Sequence, residues 1–152
     1  GEGPGVYRNT LPAWGDRSRI IQVLGNLLSN AIKFCPAERC VTVGWYADVL
    51  PGLAGPADSD SVQAAHLSVV DEGVGIPAGE LDQVFGQFIQ SSRTKTGAGG
   101  TGLGLSICRQ IVLAHSGRIW AADNPGGGAQ FHVVLPSAAP DVDAAVGKAI
   151  EA

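Results

Sequence analysis

Apolar residues return every three or four positions between residues 17 and 34. Ile20, Leu24, Leu27, Leu28 and Ala31 fall on one stripe, which predicts an amphipathic helix. Asp16 stands where an N-cap is wanted, and Pro36 predicts an end near Phe34. Cys40–Asp48 alternates loosely and Ala65–Asp71 is a short apolar run, so both read as strands. Between them residues 50–63 are rich in Gly, Pro, Ser and Asp, the composition of a loop. Leu105, Ile107, Ile111, Val112 and Ala114 recur at helical spacing and predict a second helix to about Ser116, with Gly117 placed to end it. Arg118–Asp123 and Ala129–Leu135 read as strands joined by the hairpin signal Asn124–Gly128. Residues 5–11 read as a further short strand, Ala78–Leu81 as one helical turn, and Phe85 with Phe88, three apart, as local core. From Ser137 the chain is Ala-rich, a linker or a frayed helix. Strand, helix, strand, strand, helix, strand, strand is the order of a two-layer α/β sandwich of the α+β kind. It predicts a mixed, mostly antiparallel sheet of about five strands covered on one face by about three helices.

Three polar interruptions of this pattern carry candidate chemistry. At about 100° per residue, Asn26, Asn30 and Lys33 cluster on the first helix away from its apolar stripe. Asparagine is a poor helix former and neither residue sits at a cap, so two amides and a lysine there suit a metal-bound polyphosphate better than mere solubility. Asp71 closes a buried strand and is followed by Gly73 and Gly75. A carboxylate there can accept a hydrogen bond from a ligand's amino group while bare backbone admits a flat ring; an ordinary Asp-Gly turn is the competing reading. Residues 97–105 hold five of the chain's 22 glycines and run straight into the second helix. Such a strip can approach a phosphate closely and present it to the helix's unpaired N–H groups. No lysine follows these glycines as in the Gly-x-x-x-x-Gly-Lys loop. The spacing Gly97-x-Gly99-x-x-Gly102 follows a polar loop rather than a buried strand, which disfavours a dinucleotide fingerprint. Arg93 and Lys95 lie just upstream, able to reach a phosphate or simply to solvate the loop.

Composition narrows the choice. A net charge of −4 gives no basic patch for nucleic acid or an anionic membrane surface. No apolar run approaches the ~20 residues of a membrane span. Cys35, Cys40 and Cys108 are odd in number and lack Cys-x-x-Cys spacing, so they read as reduced thiols of a cytoplasmic domain. The absence of methionine predicts a domain excised from a longer protein. His66, His115 and His132 are each isolated in sequence and are expected to be structural.

Four segments in order resemble the ATP-binding catalytic domain of sensor histidine kinases, in the superfamily shared with gyrase, the mismatch-repair ATPase and the heat-shock chaperone. Gln22–Phe34 is similar to the family's N box, Asp71–Gly75 to its G1 box, Val84–Phe88 to its F box and Gly100–Leu105 to its G2 box. The resemblance implies a catalytic domain over residues 1–136 and a tail or linker over 137–152. It implies ATP and Mg²⁺ as ligands. Asn30 would ligate the metal, Asn26 would help hold its water shell, and Lys33 would meet phosphate, these three forming the catalytic set. Asp71 would bind the adenine amine, with Gly73, Gly75, Ile76 and Phe34 shaping that pocket. Phe85 and Phe88 would anchor a nucleotide lid at about residues 86–103. Arg93, Lys95, Gly100, Thr101, Gly102, Leu103, Gly104 and Leu105 would surround the phosphates. In the hydrolytic relatives a glutamate stands four residues before the metal asparagine; here that position is Asn26, which cannot act as a general base.

The same resemblance implies an acceptor histidine on an upstream dimerisation hairpin and a downstream response regulator. It further implies a monomeric isolated domain in a homodimeric, cytoplasmic or membrane-anchored parent, without direct membrane or nucleic-acid contact. A module that binds ATP without transferring it, and a self-contained ATPase, remain as alternatives. Gln130 departs from the family pattern, which places a small hydroxyl residue just before the phenylalanine that is Phe131 here.

Overall fold

The computed structural model describes residues 11–51, 61–92 and 102–139. The first helix, α1, spans Arg17–Phe34, and its N-cap is Asp16, whose carboxylate accepts from the Ser18 and Arg19 N–H groups. Cys35 turns to extended backbone ahead of Pro36 and ends it. The strands are β1 (Val41–Leu50), β2 (Val62–Asp71), β3 (Arg118–Asp123) and β4 (Ala129–Pro136), with the second helix, α2, at Gly104–Ala114. Two short 3-10 turns, Ala78–Glu80 and Gln83–Phe85, follow β2.

The strands form one sheet in the order β1-β2-β4-β3. This is the sheet-and-helix sandwich expected from sequence, with a mostly antiparallel sheet: among the described residues four strands are seen and all three of their pairings are antiparallel. The predicted strand at residues 5–11 lies, apart from Leu11, outside the described residues, as does most of the Ala-rich tail. β2 begins at Val62, three residues earlier than predicted, because its ladder to β1 runs on to Leu50.

Alternation along the strands separates two faces. Leu67, Val69, Phe131, Val133, Ile119 and Ala121 face the helices and pack with Val23, Leu27, Ala31, Cys108 and Val112 in the main core. The predicted stripe of α1 lacks its centre, Val23: Leu27 and Ala31 are buried beside it, while Ile20, Leu24 and Leu28 are half-buried at its margins. α2 ends two residues earlier than predicted. Its turn is made by Ser116 at φ +59, and Gly117 does a different job: any Cβ there would overlap the Val134 carbonyl oxygen. Close approach, not a left-handed turn, requires that glycine.

His115 ties the start of α1 to the end of α2. Its Nδ1 lies 2.7 Å from the Ile111 carbonyl oxygen and its Nε2 accepts from the Asp16 N–H at 3.0 Å. The other two histidines face away from the helices and lie together. Asp48 Oδ2 is 2.8 Å from His66 Nδ1, His66 Nε2 is 2.9 Å from His132 Nδ1, and His132 Nε2 is 3.0 Å from Gln130 Oε1. The Tyr46 hydroxyl lies 3.2 Å from His66 Nε2, and the Trp120 ring stacks on His132. Hydrogen bonds from His66 and the Val49 N–H hold the Asp48 carboxyl below its ordinary value.

Burial, and then the charge of His66, push His132 below the ordinary 6.5. A histidine held neutral by the fold takes up its proton more readily when unfolded, so stability is lost as pH falls through 6.5 and below. The thermal midpoint, followed from pH 8 to 5, is expected to drop on the acid side, and to drop less in His132→Asn.

Candidate nucleotide-binding cleft

At the end of the sheet where β2 finishes, α1, α2 and the 3-10 turns stand apart and leave an open cleft of about 280 Å³. Asp71 lies at its floor, 4% exposed. The alternation that buries Val69 on the helical face puts Asp71 on the same face two residues later. A buried carboxylate needs hydrogen bonds, and two backbone donors meet one of its oxygens: Oδ1 accepts from Gly73 N–H at 2.8 Å and from Ala129 N–H at 3.2 Å. Oδ2 takes no hydrogen bond from the described residues. Gly73 must be glycine, since a Cβ would overlap the Phe34 carbonyl at the end of α1, and Gly75 adopts φ +71 to carry the chain out under the cleft.

The α1 wall presents Ser29, Asn30, Lys33 and Phe34, with the Lys33 ammonium 5.2 Å from the centre of the Phe34 ring. Gly75 and Ile76 line the side where the chain leaves β2, and Gly102, Gly104 and Leu105 the side where α2 begins. Nine of the residues singled out from sequence thus share one cavity: Asn30, Lys33, Phe34, Asp71, Gly75, Ile76, Gly102, Gly104 and Leu105.

The others stand elsewhere. Asn26 is not on the cleft wall; its Nδ2 donates to the Gly104 carbonyl at 3.3 Å, joining α1 to the start of α2. Leu103 is the N-cap position of α2, where its carbonyl accepts from the Ser106 hydroxyl at 2.8 Å. Gly73 acts behind the cleft through the contact just described. Phe85 is buried and meets Phe131 edge-on at 6.3 Å between ring centres, so it supports a lining residue from behind. Arg93, Lys95, Gly100 and Thr101 lie outside the described residues.

Phe88 corrects the expectation that both phenylalanines are local core: it is 72% exposed. The 3-10 turn ends at Phe85 and Phe88 adopts φ +58, so helical i, i+3 spacing does not carry it back onto the core. Its N–H instead donates to the Gly102 carbonyl at 3.0 Å. Gly102 at φ +70 is packed so closely on Phe88 that a Cβ would crowd the Phe88 backbone.

Sequence reasoning did not single out Ser29, Val74, Val84, Ile89, Gln90, Ser91, Ala129 and Phe131 on the wall. The signal for Ala129 was present: the same alternation that puts Phe131 inward puts its neighbour Gln130 on the opposite face, where it meets His132, and returns Ala129 to the cleft. Gln130 therefore replaces no wall residue. Cys108 lies fully buried behind Asn26, and burial pushes its thiol up to about 11, so it stays protonated at neutral pH.

An oxygen-preferring ion fits this wall in one manner. No group of three or more His, Cys, Asp or Glu among the described residues could cage a metal. The Asn30 amide oxygen is a hard donor of the sort that holds Mg²⁺ when waters and phosphate oxygens complete the shell.

Residues 15–139 match the family described as histidine kinase-, DNA gyrase B- and HSP90-like ATPases. The chain is 37% identical over 123 residues to the adaptive-response sensory kinase SasA of Synechocystis sp., covering 81% of this chain and 29% of that protein. It is 38% identical over 122 residues to the sensor histidine kinase WalK of Bacillus subtilis, covering 80% and 18%. The chain therefore spans less than a third of the length of these curated relatives. Among solved structures, the mycobacterial sensor histidine kinase MprB superposes with a TM-score of 0.67 at 34% identity, over 82% of this chain and 76% of that one. The catalytic domain of histidine kinase ThkA gives 0.61 at 30% identity, over 81% and 70%. Full-length ShkA in complex with AMPPNP gives 0.59 at 26%, over 84% and 24%.

The two phenylalanines should separate under substitution. Phe85→Ala removes a buried ring and should cost about 3–5 kcal/mol of folding stability, whereas exposed Phe88→Ala should change it by less than about 0.5 kcal/mol. Urea unfolding of both variants measures the difference.

Proposed function

The chain belongs to the histidine kinase-, DNA gyrase B- and HSP90-like ATPase family, and from that premise we propose that it binds Mg-ATP and donates the γ-phosphate to a histidine on a separate dimerisation domain of a two-component sensor kinase. The observation that carries this reading is the Asp71 carboxylate at the cleft floor, one oxygen held by two backbone N–H groups and the other left for a ligand donor, opposite the Asn30 and Lys33 wall. The 6-amino group of adenine is such a donor.

With the base there, the triphosphate extends toward Asn30, Lys33 and the glycines that lead into α2. Mg²⁺, held by the Asn30 amide oxygen, would neutralise phosphate charge and orient the γ-phosphoryl group. Lys33 adds a cation on the same wall. Gly102 and Gly104 let backbone N–H groups approach the phosphates. Asn26 holds no proton-accepting group, so the cleft positions ATP without activating water. Transfer then requires a nucleophile brought from elsewhere, which suits a histidine imidazole on a partner domain. His66, His115 and His132 are engaged within the fold and stand away from the cleft wall, which supports an acceptor in another domain.

No helix among the described residues is long and apolar enough to cross a membrane. We place the domain in the cytoplasm of its cell as a monomer within a dimeric parent, passing phosphate on to a response regulator. Residues 1–136 would form the catalytic domain and 137–152 a tail or linker.

Calorimetric titration with a non-hydrolysable ATP analogue tests the reading; no binding with or without Mg²⁺ would overturn it. Asn30→Ala should abolish the tightening caused by Mg²⁺. Asp71→Ala should abolish preference for ATP over GTP, which offers a carbonyl where adenine offers an amine; a retained preference would remove Asp71 from that role. Transfer is read by mixing the chain with a histidine-bearing helical hairpin and labelled ATP.

A further inference from the structure

The β3–β4 hairpin reaches over the end of β2 and grips Asp71 at two points. Asn124 Nδ2 donates to the Asp71 main-chain carbonyl at 3.0 Å. Asn124 is itself fixed by the turn: its N–H donates to the Gly128 carbonyl at 3.2 Å, and its carbonyl accepts from the Gly127 N–H at 2.8 Å. Gly128, at φ +101, lies against the same Asp71 carbonyl so closely that any Cβ would overlap it. The next residue, Ala129, sends its N–H to Asp71 Oδ1. The main chain of Asp71 is thus held by a side chain of the hairpin, and its carboxylate by the hairpin's backbone.

This matters because Asp71 sits at the last pair of the β1–β2 ladder, opposite Val41, while the β2–β4 register ends one residue earlier, at Val70 opposite Gln130. On its β4 side Asp71 therefore has no ladder partner, and the Asn124 amide takes the place of one. Without it the carbonyl loses its partner on that side, and the carboxylate loses the fixed base from which Oδ2 is aimed.

We propose that Asn124 is a positioning residue for base discrimination. It stands off the cleft wall and acts through Asp71. The proposal rests on the adenine reading of the cleft. A fixed carboxylate oxygen favours a purine with an amino group at C6 and repels one with an oxygen there; a carboxylate free to swing does neither well. Loss of Asn124 therefore weakens the contact to the base and spares contacts to the triphosphate.

Dissociation constants for ATP, GTP and tripolyphosphate, each with Mg²⁺, are measured on the wild-type chain and on Asn124→Ala, Asn124→Asp and Asn124→Gln. Removing one such hydrogen bond should weaken ATP about tenfold in Asn124→Ala. Asn124→Asp, which turns an acceptor toward the carbonyl, should lose more. Tripolyphosphate should stay within about twofold of wild type in both, so the ATP-to-GTP ratio contracts about tenfold. Asn124→Gln keeps an amide donor and should recover part of the ratio. A lowered thermal midpoint with the ratio intact would make Asn124 a brace of the hairpin and overturn the proposal. Equal losses for ATP, GTP and tripolyphosphate would overturn it too. A wild-type chain with no preference between ATP and GTP would sink the adenine reading and this proposal together, whereas the other two outcomes sink the proposal alone.

Discussion

A carboxyl group at the buried end of a strand needs hydrogen-bond donors in the place of water. In this chain that condition falls on Asp71, and the surrounding backbone is bent to meet it. Gly73 allows the chain to double back beneath the end of α1 and offer its N–H. The β3–β4 hairpin brings the Ala129 N–H from the other side. Because both donors converge on Oδ1, the polar requirement is met without filling the cavity, and Oδ2 is left without a hydrogen bond from the described residues. The floor of the cleft is thus specified by backbone geometry, while its walls are specified by side chains on the two helices.

Those helices are held in place by ordinary core packing. Leu27, Val112 and Val69 are fully buried where α1, α2 and the sheet meet. Two polar ties then fix the register of the helices. His115 joins the end of α2 to the start of α1, and Asn26 joins the middle of α1 to the start of α2. The second tie bears on the site directly. It sets the distance between the wall that carries Asn30 and Lys33 and the glycines that begin α2, so a residue implied to help hold a metal's water shell also has a mechanical part in the cleft.

Much of this was legible in the sequence, for reasons that can be named. The helix of residues 17–34 announced itself through its 3.6-residue stripe, its Asp16 cap and Pro36. The last hairpin did so through Asn124-Pro-Gly-Gly-Gly, and the nine cleft residues through three local motifs, Gln22–Phe34, Asp71–Gly75 with Ile76 beside it, and Gly100–Leu105. What was hidden depended on single dihedral angles or on partners far along the chain. Nothing in Phe85-x-x-Phe88 reveals that the second ring sits on a left-handed residue and faces out. Ser116, not Gly117, makes the left-handed turn because the glycine is claimed by contact with Val134. The three histidines each looked isolated, yet two meet across neighbouring strands, 66 positions apart. Gln130 looked like an intruder near the base until strand alternation placed it on the far face.

The hydrogen bond from Phe88 to Gly102 has a further consequence. It couples a residue inside the cleft to one outside it, since Gly102 lines the cavity and Phe88, 72% exposed, does not. Any displacement of Gly102 must either carry the Phe88 backbone along or break that bond. An event inside the cleft thus has a mechanical outlet on the surface of the domain.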